Sequence, residues 1–471
     1  MRAKTWIFIL IFGGFFAALY FVLRPEGSKL FAPKTEEKPT LILWYTDESL
    51  TDYLNSSAIA CLDAEGVRVE PVLKTGLEYV DEIYNASVSD EEVAPDLFII
   101  GSDSLEKAAL AGTAMPVEDP EHVLNSFNYP EIAMNAVTYR GKQIAYPFYY
   151  ETAFLLYNST YLSQMADAEL RAELAGTEEG EEYDPESHSL VYDPDAGVPE
   201  GYTAESWKAA VDERTHELIP ESIEDIRALA SNHGAPEGME NFFLWDVSDI
   251  YYNYFFTGAY MNVAGACGDD PSQLDICNDD SVRCMEAYRS LHEFFSIESD
   301  ESSYEKVLSD FLEGKSLFTI VTTDALATVE RALGDGSFKW SYGVAPLPGV
   351  DNEHSARGLS TTSCVVVNGF SEHPDEANIF AEYIMYESAV TLYDRTGKLP
   401  CMGGAQDEAT GARDVVRMIY MDSASLPKMI TLSNFWMELE MAYTRVWNGA
   451  DPEKSLKSLD EQMRLQMEKQ K

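Results

Sequence analysis

The stretch TLILWYTDESLTDYLNSSAIACLDAEGVRVEPVL (residues 40–73) contains the pattern from which the fold can be predicted. Its first part, TLILWYTD (Thr40–Asp47), is an apolar run that ends in aromatic residues and an acid, as expected of a buried strand. Thr51–Ala64 has apolar residues three and four positions apart, which indicates a helix. Val67–Leu73 is short and rich in valine, which favours a second strand. The stretch therefore predicts a strand, a helix and a strand in succession.

The same alternation continues beyond this stretch. Tyr79–Tyr84 has helical periodicity, and Asp96–Ile100 is a third predicted strand. Strands that alternate with helices form parallel βαβ units, so the predicted class is α/β. In open sheets of this kind, ligands bind beyond the carboxyl ends of the strands. The residues expected there are Trp44, Tyr45 and Asp47 after the first strand, and Ser102 and Asp103 after the third.

The composition excludes several classes of protein. The 471 residues include 33 Lys and Arg against 81 Asp and Glu, which gives a formal net charge of −48. A hydrophobic fraction of 45% and an aromatic fraction of 12% are too high for a disordered chain of that charge. Nucleic acid is excluded as a partner, because phosphate backbones are bound by basic surfaces.

The amino-terminal segment predicts a membrane anchor. Arg2 and Lys4 precede an uncharged apolar run, Thr5–Leu23. As a helix this run spans about 28 Å, close to the thickness of the hydrocarbon core. We expect residues 1–24 to cross the cell membrane once, residues 25–39 to form a polar tether, and the bulk of the chain to be extracellular. A cleaved signal peptide is the alternative.

The sequence contains no motif for catalysis, nucleotide binding or metal binding that rises above chance. A nucleophile elbow, a phosphate-binding loop and paired metal-ligating histidines are all absent. The acidic loop Gly268–Asp280 lacks the ligand spacing of an EF-hand, so a solvated loop is a better interpretation than a calcium site. We therefore predict no catalytic residues, no metal and no cofactor.

The six cysteines leave two interpretations open. Cys267, Cys277 and Cys284 lie close enough in sequence for one local disulfide. Buried free thiols are the alternative. No pair has C-x-x-C spacing, which argues against a zinc ribbon or a thioredoxin-like redox motif.

Aromatic residues lie beside polar groups at several predicted strand ends and loops. Sugars present apolar C–H patches that pack on aromatic rings, and hydroxyl rims that need polar partners. A sugar site therefore needs Trp or Tyr next to Asp, Glu or Asn. The candidates are Trp44, Tyr45 and Asp47; Tyr149, Tyr150 and Glu151; Trp245 with Asp246; and Trp436. Core packing is the alternative role of each aromatic residue.

Five blocks of sequence occur in an order typical of one family. They are PDLFIIGSDSLEKAALAGTAMPVED, QIAYPFYYETAFLLYNSTYL, FLEGKSLFTIV, YGVAPLPG and DEANIFAEYIMYESAVTLYDRTGKLP. Over roughly residues 40–450, the chain resembles the extracellular solute-binding proteins of family 1, the maltose-binding-protein-like receptors of ABC importers.

The resemblance implies an α/β, two-lobed, periplasmic-binding-protein-like fold of type II, with crossing strands between the lobes. Lobe one would comprise residues 38–147 and, after a return of the chain, residues 363–410. Lobe two would comprise residues 150–357, with an acidic insertion at 163–217, and the carboxyl-terminal helices at 411–471.

The resemblance also implies which residues face the cleft between the lobes. Besides the strand-end residues named above, they are Tyr149, Tyr150 and Glu151 on the first crossing, Thr322, Thr323 and Asp324 after the strand FTIV, and Ser360, Thr361 and Thr362 near the second crossing. Many relatives have Gly and Trp where Thr322 to Asp324 stand. An aromatic platform is therefore missing at that position, which leaves the identity of the sugar open.

The function that the resemblance implies is that of a receptor. It would capture a carbohydrate by hinge closure and deliver it to the transmembrane subunits of an ABC permease. The alternatives are a ligand-sensing module that signals to a membrane partner, and a receptor for a non-sugar solute. A glycosidase is the least favoured, since a pair of carboxylates can occur by chance among 81 acids.

Overall fold

The computed structural model describes residues 39–76, 78–89, 92–119, 122–179, 190–297, 302–403 and 411–468. The predicted membrane anchor (residues 1–24) and almost all of the predicted tether (residues 25–39) lie outside these residues. In the part of the chain that is described, no helix is long and apolar enough to cross a membrane.

One mixed sheet contains most of the strands. In chain order the strands are β1 (Thr40–Tyr45), β2 (Arg68–Leu73), β3 (Leu97–Gly101), β4 (Thr138–Tyr139), β5 (Lys142–Gln143), β6 (Tyr146–Asn158), β7 (Asn241–Phe243), β8 (Asn262–Val263), β9 (Leu274–Asp275), β10 (Ser316–Thr322), β11 (Tyr342–Ala345), β12 (Leu359–Val367), β13 (Leu399–Pro400) and β14 (Ala424–Ser425). The order in the sheet is β2-β1-β3-β12-β6-β10-β7, with β11 and β13 paired to β6 and β14 paired to β12. The short strands β4 and β5, and β8 and β9, pair separately.

Helices follow most of the strands, as the predicted βαβ pattern requires. They are α1 (Thr51–Ala64), α2 (Tyr79–Val88), α3 (Leu105–Ala111), α4 (Glu131–Val137), α5 (Ser159–Glu179), α6 (Ala204–Glu217), α7 (Ile223–Asn232), α8 (Ile250–Asn253), α9 (Asp279–Phe295), α10 (Tyr304–Leu312), α11 (Thr323–Asp335), α12 (Pro374–Thr396), α13 (Ala412–Met421), α14 (Phe435–Trp447) and α15 (Pro452–Glu468). The structure confirms the first predicted unit: α1 has the predicted bounds, and β1 runs parallel to β3 with Leu43 opposite Leu97.

Two long strands, β6 and β12, connect the two halves of the sheet. The first part of β6, from Tyr146 to Thr152, pairs antiparallel with β12. The second part, from Ala153 to Tyr157, pairs with β10. The end of β12 pairs with β3. These two strands therefore form the crossing that the resemblance implies, and the fold is the predicted two-lobed α/β type.

The buried apolar side chains form two large clusters that meet along β6. Leu155 and Tyr157 belong to one cluster, and Phe154 and Leu156 belong to the other. Successive residues of a strand point to opposite faces, so the two clusters lie on opposite faces of the second part of β6. Residues 41–471 accordingly form one compact unit. The lobe boundaries given above remain predictions.

All six cysteines are free thiols. Cys267, Cys277 and Cys284 form no disulfide, so the local bridge that was one of the two open interpretations is absent. Burial raises the pKa of Cys284 to about 12, and this thiol therefore stays protonated at neutral pH.

The predicted acidic insertion (residues 163–217) is described in part, as most of α5 and all of α6. Arg214 of α6 reaches two acids of α5, at 3.0 Å from Glu169 and 2.8 Å from Glu173. Trp207 of α6 is buried and donates a hydrogen bond from Nε1 to Asp167 of α5, at 2.7 Å. These contacts hold the two helices together.

Candidate ligand-binding site

The crossing strands carry Tyr149, Glu151, Thr361 and Ser363 on one face, where Tyr149 is buried and the other three are partly exposed. In the register of β6 and β12, Thr361 lies opposite Glu151 and Ser363 lies opposite Tyr149. Opposed residues of paired strands point to the same side of a sheet, and so do residues two positions apart. We call these four residues the crossing face.

The opposite side of the same strands is packed. Tyr150 stacks on Tyr420 of α13, with ring centroids 3.8 Å apart and an interplanar angle of 6°. The Thr362 and Tyr420 hydroxyls are hydrogen bonded at 2.9 Å, and Ser360 accepts a bond from the Ser423 hydroxyl at 2.6 Å. Tyr150, Ser360 and Thr362 are all buried. These three predicted cleft residues therefore point into the packed side, because side chains alternate along a strand.

Lys398 organises the crossing face. It precedes β13, which pairs with β6 opposite Tyr149 and Tyr150. Its ammonium lies 3.1 Å from Asp47 Oδ2 and 3.0 Å from Glu151 Oε1, with a side chain that is only 16% exposed. It also lies 5.2 Å from the centre of the Tyr149 ring, whose hydroxyl donates to Asp47 Oδ2 at 3.4 Å.

The charges of this group are mutually stabilised. Burial alone would lower the pKa of Lys398, but Glu151, Tyr149 and Asp47 outweigh burial and raise it. Burial alone would raise the pKa of Asp47, but the Ser49 hydroxyl and Lys398 together lower it. At neutral pH the face therefore presents an ionised Asp47 beside a protonated Lys398, and Glu151 Oε1 lies 3.0 Å from the same ammonium.

Two acids reach the carboxyl ends of β1 and β3, where the sequence predicts ligand contact. Asp47 follows β1 and accepts a bond from the Ser49 amide at 2.9 Å. Asp103 follows β3, and its side chain is accessible to solvent. Surrounding protein atoms displace water from the Asp103 carboxylate and raise its pKa. The surroundings of Asp103 therefore disfavour its charged form.

The other predicted residues at these strand ends are buried. Trp44 packs below the ammonium of Lys74, which lies 3.8 Å from the ring centre. The Tyr45 hydroxyl donates to Thr51 Oγ1 at 3.0 Å, and Ser102 is buried where β3 ends. These three positions support the strand ends, where Asp47 is partly exposed and Asp103 is exposed.

The second half of the chain contributes a series of tyrosines. The Tyr251 hydroxyl donates to the backbone carbonyl of Glu151 at 2.9 Å, which links α8 to the crossing face. The neighbouring Tyr252 ring stacks on Tyr304, with centroids 5.0 Å apart and an angle of 10°. The Tyr304 hydroxyl donates to Asp324 Oδ1 at 2.8 Å. We call Tyr251, Tyr252 and Tyr304 the tyrosine series.

Of the three predicted residues at the end of β10, Thr322 and Asp324 contact the tyrosine series and Thr323 lies in the core. Thr322 donates to the Tyr304 hydroxyl at 3.1 Å, and Asp324 is exposed beside it. Thr323 is buried. Thr322 and Asp324 thus belong to the same hydrogen-bonded group as Tyr304, although no tryptophan is present here.

Trp245 and Asp246 have structural roles. Trp245 is 0% exposed, lies 4.4 Å from the Phe243 ring and donates from Nε1 to Asn253 at 2.9 Å. Its ring therefore has no free face to offer a ligand. Asp246 is buried and accepts the Tyr304 amide at 3.1 Å, so it positions the tyrosine series from below.

Trp436 is half-buried at the start of α14. Its ring meets Tyr254 edge to face, with centroids 5.6 Å apart. No contact joins it to the crossing face in the described residues. Of the predicted tryptophans it is the one that keeps an accessible surface.

Sequence reasoning missed Lys398 and the tyrosine series. A search for acids beside aromatic residues does not find a lysine that lies far along the chain in TGKLP. In the segment LWDVSDIYY, the search selected Trp245 and passed over Tyr251 and Tyr252. The hydroxyl groups of Tyr251 and Tyr252 were a signal that could have been used. A buried tyrosine hydroxyl needs a hydrogen-bond partner, so such tyrosines indicate places where polar groups meet.

Metal binding has no support in the described ranges. No group of three or more His, Cys, Asp or Glu residues there is arranged to hold a metal ion.

The fold and the crossing strands define a two-lobed binding protein, and comparison with known proteins gives the family. Residues 60–418 match the model of the bacterial extracellular solute-binding protein family. The chain belongs to this family, which confirms the resemblance described above. No match was found among curated proteins.

Solved structures show the same fold. A cyclo/maltodextrin-binding protein complexed with maltotetraose is 18% identical, with a TM-score of 0.68 over 93% of this chain and 100% of that chain. An extracellular solute-binding protein from Staphylococcus aureus in complex with maltose is 16% identical, with a TM-score of 0.67 over 92% and 100%. The maltose-binding protein MalE from Listeria monocytogenes is 18% identical, with a TM-score of 0.63 over 92% and 98%.

Proposed function

We propose that this chain is the substrate-binding protein of an ABC importer and captures a carbohydrate at the crossing face. One observation carries the proposal. Side chains from three separate parts of the chain, Asp47, Glu151 and Lys398, converge beside the Tyr149 ring where the two halves of the sheet join.

The chemistry of this group suits a sugar. The carboxylates of Asp47 and Glu151 accept hydrogen bonds from sugar hydroxyls, and Lys398 donates to sugar oxygens. The hydroxyls of the tyrosine series both donate and accept, while their rings supply apolar surface for C–H patches. Sugar complexes of two structural relatives, with maltotetraose and with maltose, also support a carbohydrate ligand.

Binding would be coupled to hinge closure. Tyr251 already joins α8 to the backbone of β6 through a single hydrogen bond to Glu151. A ligand that contacts both Asp47 and the tyrosine series would hold the two halves together and so favour the closed arrangement. The membrane anchor at residues 1–24, the extracellular or periplasmic location and delivery to a permease belong to the same proposal.

A thermal-shift screen tests the ligand class. The purified protein is heated with neutral oligosaccharides, polyols, amino acids and peptides. A sugar present at 100 times its dissociation constant should stabilise the fold by about 2.7 kcal/mol. For a chain of this size, this stabilisation should raise Tm by about 2–4 °C. A hit confined to amino acids or peptides would contradict the carbohydrate assignment and favour a receptor for another solute.

A pair of variants tests the site. Glu151→Gln removes the charge that faces Lys398 and should weaken binding of the sugar at least tenfold. Glu313→Gln is the matched control, since Glu313 forms an exposed ion pair with Lys315 and lies outside the crossing face. Equal affinities of the two variants in calorimetry would show that the sugar binds elsewhere.

A further inference from the structure

Two cavities lie along α5, away from the crossing face. The first has a volume of about 560 Å³ and lies between α5 and α6. The second has a volume of about 430 Å³ and lies between α5 and the segment that begins at Leu190. Gln164 and Tyr192 line both cavities, so the two share a wall. Each volume is in the usual range for small-molecule sites, about 300–1,000 Å³.

Aromatic rings and unused polar groups line these cavities together. Trp207 lines the first cavity, Trp340 lines the second, and Tyr192 is 37% exposed between them. The Gln164 amide and the Ser163 hydroxyl form no hydrogen bond within the described residues. An amide that is free to donate and to accept at the shared wall is available to a ligand in either cavity.

The walls are held in place before any ligand arrives. Trp207 is fixed by its hydrogen bond to Asp167, which in turn accepts Arg171 Nε at 2.6 Å. The segment carrying Tyr192 is attached through Leu190, which donates to Asn232 O at 2.9 Å and accepts from the Gly234 amide at 2.9 Å. A preformed site loses less conformational entropy on binding than one that must be ordered.

The charge of the first cavity is balanced, in contrast to the net charge of −48 on the whole chain. Asp167 is neutralised by Arg171, and Asp212 is paired with Lys208 on α6. In the second cavity Glu237 is the single charged residue of the lining. Such a surface favours a neutral ligand that has both donors and acceptors.

The geometry points to a second binding groove on this protein, formed by both cavities and specific for a neutral oligosaccharide. Tyr192 and Trp340 pack against C–H patches of the sugar rings, and Gln164 and Ser163 bond the hydroxyls. A glycan chain long enough to pass Tyr192 occupies both cavities at once. This inference goes beyond the proposed function and does not depend on it, because no residue that lines the groove belongs to the crossing face or to the tyrosine series.

The experiment uses the full chain with the crossing face disabled by Asp47→Asn and Glu151→Gln. Saturation-transfer NMR and titration are run with maltotetraose, cellotetraose and chitotetraose. We expect at least one of these to bind this background, and Tyr192→Ala to raise its dissociation constant at least fivefold. Tyr84→Ala is the matched control, since Tyr84 is 41% exposed on α2, and it should change the constant less than twofold.

If Tyr192→Ala lowers Tm, a second variant is needed to separate a loss of binding from a loss of folding. Gln164→Glu conserves the size of the side chain but makes it an acceptor with a negative charge, and it should also weaken binding at least fivefold. Absence of binding by all three tetrasaccharides overturns the inference, and so does an equal effect of Tyr192→Ala and Tyr84→Ala. Failure of the proposed function would give a different result. The crossing face of the unmodified protein would then bind no sugar, while Tyr192→Ala would still weaken binding more than Tyr84→Ala.

Discussion

The two sides of the crossing strands differ although they are built from neighbouring residues of the same kind. Tyr149 and Tyr150 are adjacent and both buried, yet Tyr149 lies beside the charged groups of Lys398 and Asp47, while Tyr150 is stacked on Tyr420. Thr361 and Thr362 divide in the same way. Position along the strand, and not residue type, therefore decides which side of the crossing a side chain faces.

The largest expected effect is on the packed side. Tyr150→Ala removes a fully buried ring from its stack on Tyr420 and leaves a cavity, so the free energy of unfolding should fall by about 3–5 kcal/mol. Tyr149→Phe keeps its ring and loses one long hydrogen bond, which should cost about 0.5–1.5 kcal/mol. Urea unfolding measures both. A loss below about 1 kcal/mol for Tyr150→Ala would refute the supporting role of the stack.

A smaller effect is expected from Lys398→Met, which removes the cation of the crossing face. Asp47 and Glu151 are then left without their shared partner, and the pKa of Asp47 should rise, because Lys398 is one of the groups that lower it. Affinity for the sugar should fall about 10–100-fold, which is about 1.4–2.7 kcal/mol. Lys107→Met is the control, since its ion pair with Asp81 is exposed. An unchanged pKa of Asp47 in an NMR titration would contradict this account.

The smallest effect is a dependence on alkaline pH. Burial raises the pKa of Tyr149 to about 12, against an ordinary value of 10.0. Between pH 10 and 12 the unfolded chain loses this proton and the folded chain keeps it, so stability falls as pH rises, by up to about 1.4 kcal/mol per pH unit for this group. Urea unfolding from pH 9 to 11.5 should show a shallower decline for Tyr149→Phe. Identical slopes for the variant and the parent would exclude the contribution of Tyr149.

The fold was predictable to a large extent because periodicity is local. The strand and helix of residues 40–64 followed from apolar spacing alone, and the order of five blocks was enough to identify the family. The site was predictable only in part. Asp47 and Asp103 lie at strand ends and Tyr149, Glu151 and Thr361 lie on the crossing face, and their contact with a ligand remains a prediction.

The other site residues could not be assigned from local sequence patterns, for three physical reasons. Ser360 and Thr362 were selected together with Thr361, although alternation along a strand excludes three consecutive residues from one face. Trp245 was chosen because Asp246 follows it, but aromatic rings are also what a core needs. Lys398 comes from a distant part of the chain, and its approach to Asp47 depends on tertiary structure that no local pattern encodes.

The pairing of β6 with β12 also restricts how the protein can deform. Both strands lie inside a larger sheet, in which β12 also pairs with β3 and β14, and β6 also pairs with β10, β11 and β13. The stack of Tyr150 on Tyr420 fills one surface of the paired strands, and close-packed rings resist compression. We therefore expect the paired strands to bend more easily toward the surface that carries Glu151 and Thr361 than toward the stacked rings.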